Sequence, residues 1–593
     1  MRSPTTSPSA ESRPASLADH EARLHALERE LPAHGYSDAA LADYQQACRD
    51  YEAHVASQSD AGRHRFLVII PTADRPRQLH ECLASLLELC RLYGYGGHDG
   101  TRYRRVAAMI ADDSKHPESV AAHRALAREF TAQGLATEYF GLEDQLAVVD
   151  RLPDDLRMRL ANVLGRPDRE AFHHKGHSVM RNILYLHLHA RYADDPRQLF
   201  WFADSDQEFR VKVGGADGDR DVYALDYFRH LDRHFRDHDI ELLTGKVVGD
   251  PPVSPAVMAG NFLADVQAFL RQAGALAPEV PCPFHDRSLP QGDSAAYHDM
   301  AGLFGFAHGE TAYRYRCTLP GAHTLAAGID DFTRRLARFF DGEHPTRITY
   351  FDTDDALYRD GAPVRPARTV YTGNYVIRAD ALRRFVPFAP LRLRMSGPTF
   401  GRLLQGEIGA RFVSANLPML HKRTEPESGA SEFRPGVVRD AQRVDLSNEF
   451  ERQFFGDVML FSVEQLVGHG YPTEAVDEAV IAATLHETAG RMEGLYRGKH
   501  ARILEGLAVV QALREELGGR HPDLSAAWAR LDAFLANMHH NFGLQAEGYR
   551  LIADPDHRRR RHEQLLAAIV DYHADRAAWE AALDASGAAT ADA

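Results

Sequence analysis

Cysteine is scarce in this chain. Cys48, Cys82, Cys90, Cys282 and Cys317 are the whole set in 593 residues, an odd number with no CxxC pair. That argues against a disulfide framework and against a zinc ribbon, and it fits a reducing, cytoplasmic setting. Long apolar runs are missing too, so no segment reads as a bilayer span. Residues 1–16, MRSPTTSPSAESRPAS, lack the apolar core of a signal peptide and read as a disordered tail. Nor is there a basic excess. The formal net charge is -15, which argues against a general nucleic-acid binder. An anionic substrate is still compatible, because a phosphate site needs only local donors. No repeat of solenoid period occurs.

What is present reads as a globular α/β protein. Hydrophobic residues make up 44% and charged residues 26%, and the length exceeds what one hydrophobic core usually serves. Two or three domains are therefore expected. Residues 17–61 have helical spacing, with Leu24, Leu27 and Leu31 in phase and Pro32 and Gly35 as an interruption. At Arg65 the character changes. Phe66–Ile70 is a short apolar run of the kind that forms a strand buried on both faces. A polar loop follows, then Leu79, Cys82, Leu83, Leu86, Leu87 and Cys90 at helical spacing. Val106–Ala111, a helix pattern at 119–133, Ala136–Phe140, a helix pattern at 176–193 and Leu199–Ala203 continue the alternation. It predicts a mostly parallel sheet with helices on both faces. Ligands of such sheets bind beyond the carboxyl ends of the strands.

Residues 276–366 are rich in Gly, Pro and His and read as an irregular insertion or lid. From about Phe450 the chain reads as helix to its end. Ile503, Leu507, Val510, Leu513 and Leu517 lie on one face, and Leu524, Trp528, Leu531 and Leu535 on another. Both stripes read as packing faces. The division expected is a tail at 1–16, a helical arm at 17–61, a catalytic domain at 62–450 and a helical domain at 451–593.

The strongest chemical signal is Phe200-Trp201-Phe202-Ala203-Asp204-Ser205-Asp206. Two carboxylates flank one residue at the end of a buried strand. Hard oxygen ligands there suit Mg2+ or Mn2+, which bind through few carboxylates plus substrate phosphates. A second signal is His173-His174-Lys175-Gly176-His177-Ser178-Val179-Met180-Arg181-Asn182. A helix start beside Lys175 and Arg181 is an anion site. The neighbouring histidines read as solvated surface residues. Asp352-Thr353-Asp354 reads as a surface turn, and Arg558–Arg561 as a solvated helix face.

Taken in order, FLVIIPTADRP, a strand ending in DDS, GHSVMRN and FWFADSD resemble the GT-A fold glycosyltransferases, in particular family-2-like members of the nucleotide-diphospho-sugar transferases. The resemblance covers about residues 65–210. It implies a Rossmann-like α/β fold, a UDP- or GDP-sugar donor, Mn2+ or Mg2+ as cofactor, and hexosyl transfer to an acceptor it does not name. It places Pro71, Thr72 and Arg75 along the nucleotide, and Asp113, with Asp112 beside it, on the base. Asp204 and Asp206 then hold the metal and the donor. Tyr371-Thr372-Gly373-Asn374-Tyr375 resembles the acceptor-side segment, where Gly373 and Asn374 border the sugar. His421 takes the place of a late metal ligand, and Lys422 or Arg423 that of a diphosphate contact.

One departure stands out. Inverting relatives carry an acidic base where this chain reads Arg394-Met395-Ser396-Gly397-Pro398-Thr399-Phe400-Gly401-Arg402. Glu407 and the loop carboxylate Asp250 are the substitutes on offer, and retention of configuration stays open. The rival readings are a nucleotidyltransferase of related fold and a non-catalytic scaffold. The first expects a glycine-rich loop after the first strand, where TADRPRQ has no glycine. Peripheral membrane contact and a homo-oligomer built through the C-terminal helices are further open partners.

Overall fold

The computed structural model describes residues 16–58, 62–166, 168–215, 218–250, 254–284, 317, 319, 321–343, 349–351, 364–422, 437–440, 443–446 and 449–591. Most of the 276–366 segment, the Asp352-Thr353-Asp354 triplet, Arg423 and the N-terminal tail through residue 15 lie outside that set.

The chain opens with α1 (Leu17–Glu30) and α2 (Asp38–Ser57), divided at Pro32 and Gly35. Ser16 and Ser37 cap them by accepting from the amides of Asp19 and Ala40. Strand β1 (Arg65–Thr72), helix α3 (Pro76–Tyr93), β2 (Val106–Asp112), α4 (Pro117–Ala132) and β3 (Thr137–Phe140) follow. Helices α5 (Leu142–Asp150), α6 (Asp154–Arg159), α7 (Ala161–Leu164) and α8 (His177–Tyr192) then lead to β4 (Gln198–Ala203). After β5 (Gln207–Glu208) come the hairpin β6 (Val211–Gly215) and β7 (Gly218–Val222), then α9 (Tyr227–Asp237), β8 (Leu242–Gly249) and α10 (Pro255–Gly274). The last strands of the sheet are β9 (Arg365–Pro366), β10 (Asn374–Arg378) and β11 (Phe412–His421).

Among the described residues, one mixed sheet of nine strands has the order β3-β2-β1-β4-β10-β8-β11-β5, with β9 beside β11. β1 pairs in parallel with β2 and β4, and β8 with β11, while β10 runs antiparallel between β4 and β8. The chain steps outward from β1 through β2 to β3 and then returns across β1 to β4. A strand-order reversal of this kind opens a crevice at the carboxyl ends of the two strands that flank it. Here those ends are Thr72 and Ala203.

The apolar runs are continuous because both faces of the sheet are covered. Phe200 and Phe202 of β4 join one core, with Leu67, Ile69 and Ile377. Leu199, Trp201 and Ala203 join the other, with Phe66, Val68, Ile70 and Val376. Successive side chains point to opposite faces, so a strand between two cores has no polar phase. The second core is built with α1, α2, α3 and α9. The first extends through α8 and α10 into the C-terminal helices.

Those helices are Glu449–Val467, Glu478–Arg520, Ser525–Phe542, Glu547–Ala553 and Pro555–Ala591. Ile503, Leu507, Val510 and Leu517 are buried in the first core, as are Trp528, Leu531 and Leu535. Both helical stripes are packing faces, as their spacing suggests. No helix among the described residues is long and apolar enough to cross a membrane.

Candidate functional site at the strand switch point

The crevice between β1 and β4 is a cleft of about 850 Å³, within the size range of small-ligand sites. Its near wall carries Pro71, Thr72, Arg75, Asp113, Gly176, His177, Arg181, Asp204 and Asp206. Its far wall carries Arg392, Arg394, Ser396, Glu449, Arg452 and Arg561. The protein is acidic overall, yet the cleft gathers six arginines from five places in the chain. That local excess suits an anionic ligand.

The near wall is assembled by loops that hold one another. Past β1, Asp74 takes a left-handed φ of 56°. Its carboxylate accepts from the amides of Lys115 (3.1 Å) and His116 (3.0 Å) and meets His174 Nε2 at 2.7 Å. Burial pushes the Asp74 carboxyl up, but those partners outweigh it and hold it below its ordinary value. His174 is thus a tie between loops, not a solvated surface residue. Thr72 ends β1 opposite Asp112. Its Oγ1 is buried with no hydrogen-bond partner among the described residues, at the lining of the cleft.

Asp113 is 4% exposed and faces the cleft. It accepts from Lys175 Nζ and, at 3.3 Å, from the amide of Gly176. Gly176 has φ 98°, which turns the chain into α8. Burial pushes the Asp113 carboxyl up and Lys175 opposes it. Burial likewise pushes Lys175 down. Lys175 also donates to Gln145 at 2.8 Å, so it positions Asp113 and does not reach for a phosphate. Asp112 is fully buried behind it. Ser114 N (2.9 Å), Tyr139 OH (2.8 Å) and His123 Nδ1 (3.0 Å) surround its carboxylate. Asp112 is therefore a structural anchor rather than a nucleotide contact.

Arg181 is 1% exposed. Its Nη2 donates to Asp204 Oδ1 at 3.0 Å and to the Thr372 carbonyl at 2.8 Å. Its Nε is buried without a partner among the described residues. Gly373 lets this corner close. A Cβ there would meet Asp204 Oδ2 at 2.6 Å and Gln207 Nε2 at 2.8 Å. The close approach the sequence suggested is thus to Asp204, not to a sugar. Asn374 does not face the cleft. It accepts from Trp201 Nε1 at 3.0 Å and donates to the carbonyls of Lys246 and Leu417, locking β4, β8 and β11 together.

Asp206 and His421 come from β4's trailing loop and the end of β11. His421 Nε2 stands 3.6 Å from Asp206 Oδ2. His421 Nδ1 lies 2.9 Å from the backbone carbonyl of Asp250. A carbonyl only accepts, so Nδ1 carries a proton, and Nε2 is the ring atom turned toward Asp206. This is the arrangement that prepares a histidine for a metal. Arg75 Nη1 is 3.5 Å from the same Asp206 oxygen. Asp204 does not complete a three-ligand set. Among the described residues it forms no group with Asp206 and His421 in which all ligand atoms lie within 4.8 Å. Two protein ligands leave most positions of a hard cation to substrate oxygens and water, the usual pattern for Mg2+.

Neither proposed base faces the cleft. Asp250 meets His421 through its backbone, its amide donating to the His421 carbonyl at 3.0 Å and its carbonyl accepting from the ring. Glu407 is buried and ion-paired with Arg576 and, at 3.2 Å, with Arg384, where it anchors the last helix. Sequence reasoning missed Glu449. It lines the cleft, is 3% exposed and accepts from Arg394. Arg561 also differs from its sequence reading. It is not a solvated helix residue but pairs with Glu451 at 2.7 and 3.2 Å at the cleft's edge.

No protein-family profile matches the chain, and no curated protein sequence does. Among solved structures it is similar to a mannosyltransferase of Pyrobaculum calidifontis in complex with GDP-Man and Mn2+. That match covers 92% of this chain and 98% of the other at 11% identity, with a TM-score of 0.30. A likeness that loose carries no argument about fold or function.

Proposed function

We propose that the protein is a metal-dependent glycosyltransferase of the GT-A type, transferring a hexosyl group from a UDP- or GDP-sugar. The observation that carries this reading is the Asp206–His421 pair, with the His421 ring fixed by the Asp250 carbonyl, Arg75 beside Asp206, and Asp206 itself at the lining of the switch-point cleft. In this reading Asp206 and His421 hold Mn2+ or Mg2+ together with donor oxygens. When bound, the ion supplies Lewis-acid stabilisation of the leaving diphosphate.

The chain's own groups do the rest. Asp113, fixed by Lys175 and Gly176, accepts from a base N–H, which uracil and guanine both present. Thr72 Oγ1 is available to the same nucleoside. The N-terminus of α8, with His177 and Ser178 at the cleft, faces the diphosphate with its free amides. Arg75 and Arg181 add charge where the leaving group becomes more negative, so they act more on the transition state than on the ground state. Glu449 is the far-wall carboxylate, and it supplies the base that the 394–402 stretch lacks.

Thermal denaturation with Mn2+ and a panel of UDP, GDP, dTDP and CMP tests the reading. A metal-dependent rise in melting temperature with one nucleotide, absent in Asp206→Ala, is the expected result. A folded protein that responds to no nucleotide makes the scaffold reading the better one.

A further inference from the structure

Away from the cleft, the fold brings together three residues whose spacing gives no hint of a site. Cys282 and Cys317 are buried, His323 is half-buried, and their ligand atoms all lie within 4.8 Å of one another. Among the described residues no other His, Cys, Asp or Glu triplet converges so closely. Cys317 Sγ stands 3.1 Å from His323 Nε2. His323 Nδ1 lies 2.8 Å from the Gly321 carbonyl. That carbonyl can only accept, so Nδ1 holds a ring proton and Nε2 is the atom turned toward the Cys317 sulfur.

The backbone around them is firmly laced. Cys282 N donates to the His323 carbonyl at 2.9 Å, and Cys317 N to that of Phe284 at 3.0 Å. Leu325 N donates to the Val280 carbonyl at 2.8 Å. Gly328 gives Cys282 its room, since a Cβ there would lie 2.8 Å from the sulfur. Beneath the cluster, Phe269 packs on Phe284 and Phe332 with ring centroids 5.0 and 3.8 Å away.

We infer that Cys282, Cys317 and His323 bind a zinc ion. Two thiolates and an imidazole are a soft-to-borderline set that selects zinc over the hard cations suited to the cleft. Tetrahedral zinc, with Zn–S of about 2.3 Å and Zn–N of about 2.0 Å, needs its ligands roughly 3.5 Å apart; here the Cys317–His323 separation is 3.1 Å and the others lie within 4.8 Å. The half-buried side at His323 gives the ion an entry path and a fourth position. The site is separate from the cleft. Helix α10 begins beside Ser254, which lines the cleft, and ends just before the Cys282 segment. Its 20 residues span about 30 Å at 1.5 Å per residue. The ion's role is structural. It clips the 281–284 segment to Cys317 and the 321–324 segment, a link the packing of α10 alone does not make.

Elemental analysis of the full chain, purified without chelator or added metal, tests this. One zinc per chain is expected, lost in Cys317→Ser and in His323→Ala and retained in Asp206→Ala. Retention in that last variant separates this site from the cleft. If the first two variants fold poorly, the wild-type protein serves. A mercurial reagent that titrates thiols should release the zinc to a chromophoric chelator, and cobalt in its place should give a thiolate charge-transfer band. A folded protein with neither zinc nor a cobalt band overturns the inference. So does a Cys282–Cys317 disulfide in a peptide map of unreduced protein.

Discussion

His421 has no freedom to turn away from Asp206, because the Asp250 carbonyl holds the other side of its ring. Replacing it with alanine removes one of the two proposed protein ligands, while the backbone pairing of β11 with β8 does not depend on its side chain. Weaker ion binding without unfolding is the expected outcome. In His421→Ala the metal-dependent gain in melting temperature should shrink to near that of Asp206→Ala, while the melting temperature without metal changes little. Gly373 makes an opposite prediction. An added methyl must displace Asp204 or Gln207, an overpacking that costs about 1–3 kcal/mol. Gly373→Ala should lower the urea midpoint and disturb the Arg181–Asp204 contact. For Glu449→Gln, nucleotide binding should persist while donor turnover falls by about 10²–10⁴, the usual worth of a general base. Turnover is read as release of nucleotide diphosphate. Asp206, Arg75 and Arg181 were legible in the sequence because each stands at a strand end or helix start, and pattern alone locates those. Lys175, Asp112, Asn374 and Glu407 misled because pattern does not say where a side chain points. Each is turned inward by a partner distant in the chain, such as Gln145, His123, Trp201 or Arg576.

At the scale of elements, strands β1, β2 and β4 and helices α3, α4 and α8 were readable to within a few residues. Two covered faces make a strand uniformly apolar, and a helix start after a strand announces itself by Pro or Gly. Strands β5 and β9, of two residues each, carry no period to read. The last helix, Pro555–Ala591, shows what pattern also conceals. Its Asp575 is 5% exposed and sits against Asn162, whose Nδ2 donates to it at 3.3 Å. Burial pushes its carboxyl up to about 7, against the Asn162 hydrogen bond and with help from Asp571. Unfolded, the group titrates near 3.8. Between those values the folded chain keeps a proton that the unfolded chain has lost. The stability contributed by that proton is full below about pH 4 and is lost as pH rises through about 7. Asp575→Asn keeps the hydrogen bond and removes the titration. Its urea midpoint should match the wild type near pH 4 and exceed it at pH 8. Equal midpoints at both pH values would show that Asp575 titrates normally in the fold.

The whole molecule is knit across the boundary that the sequence suggested near residue 450. One apolar core runs from Leu67 in β1 to Leu583 in the last helix. Phe385 packs on Tyr572 and Trp579 at ring distances of 5.3 and 5.7 Å, and Trp579 Nε1 donates to the Leu382 carbonyl at 3.3 Å. Glu407 is clamped by Arg576 from the same helix. A chain ending at residue 450 would expose Phe385 and the apolar faces of α8 and α10 to water. Each large side chain laid bare costs about 1.5–3 kcal/mol, against a total stability of about 5–15 kcal/mol for a typical domain. A handful of such exposures is enough to unfold the remainder. The truncated chain should therefore be insoluble or molten, and the full chain should melt in one transition by both far-ultraviolet circular dichroism and tryptophan fluorescence. Function would suffer first on the far wall. Arg452, Gln453 and Arg561 line the cleft from beyond that boundary, so a fragment that did fold would keep the wall of β1 and β4 and lose those three side chains from the opposite one. Nucleotide binding without transfer, in a soluble fragment with its own sharp transition, would mean that the two regions are independent domains after all.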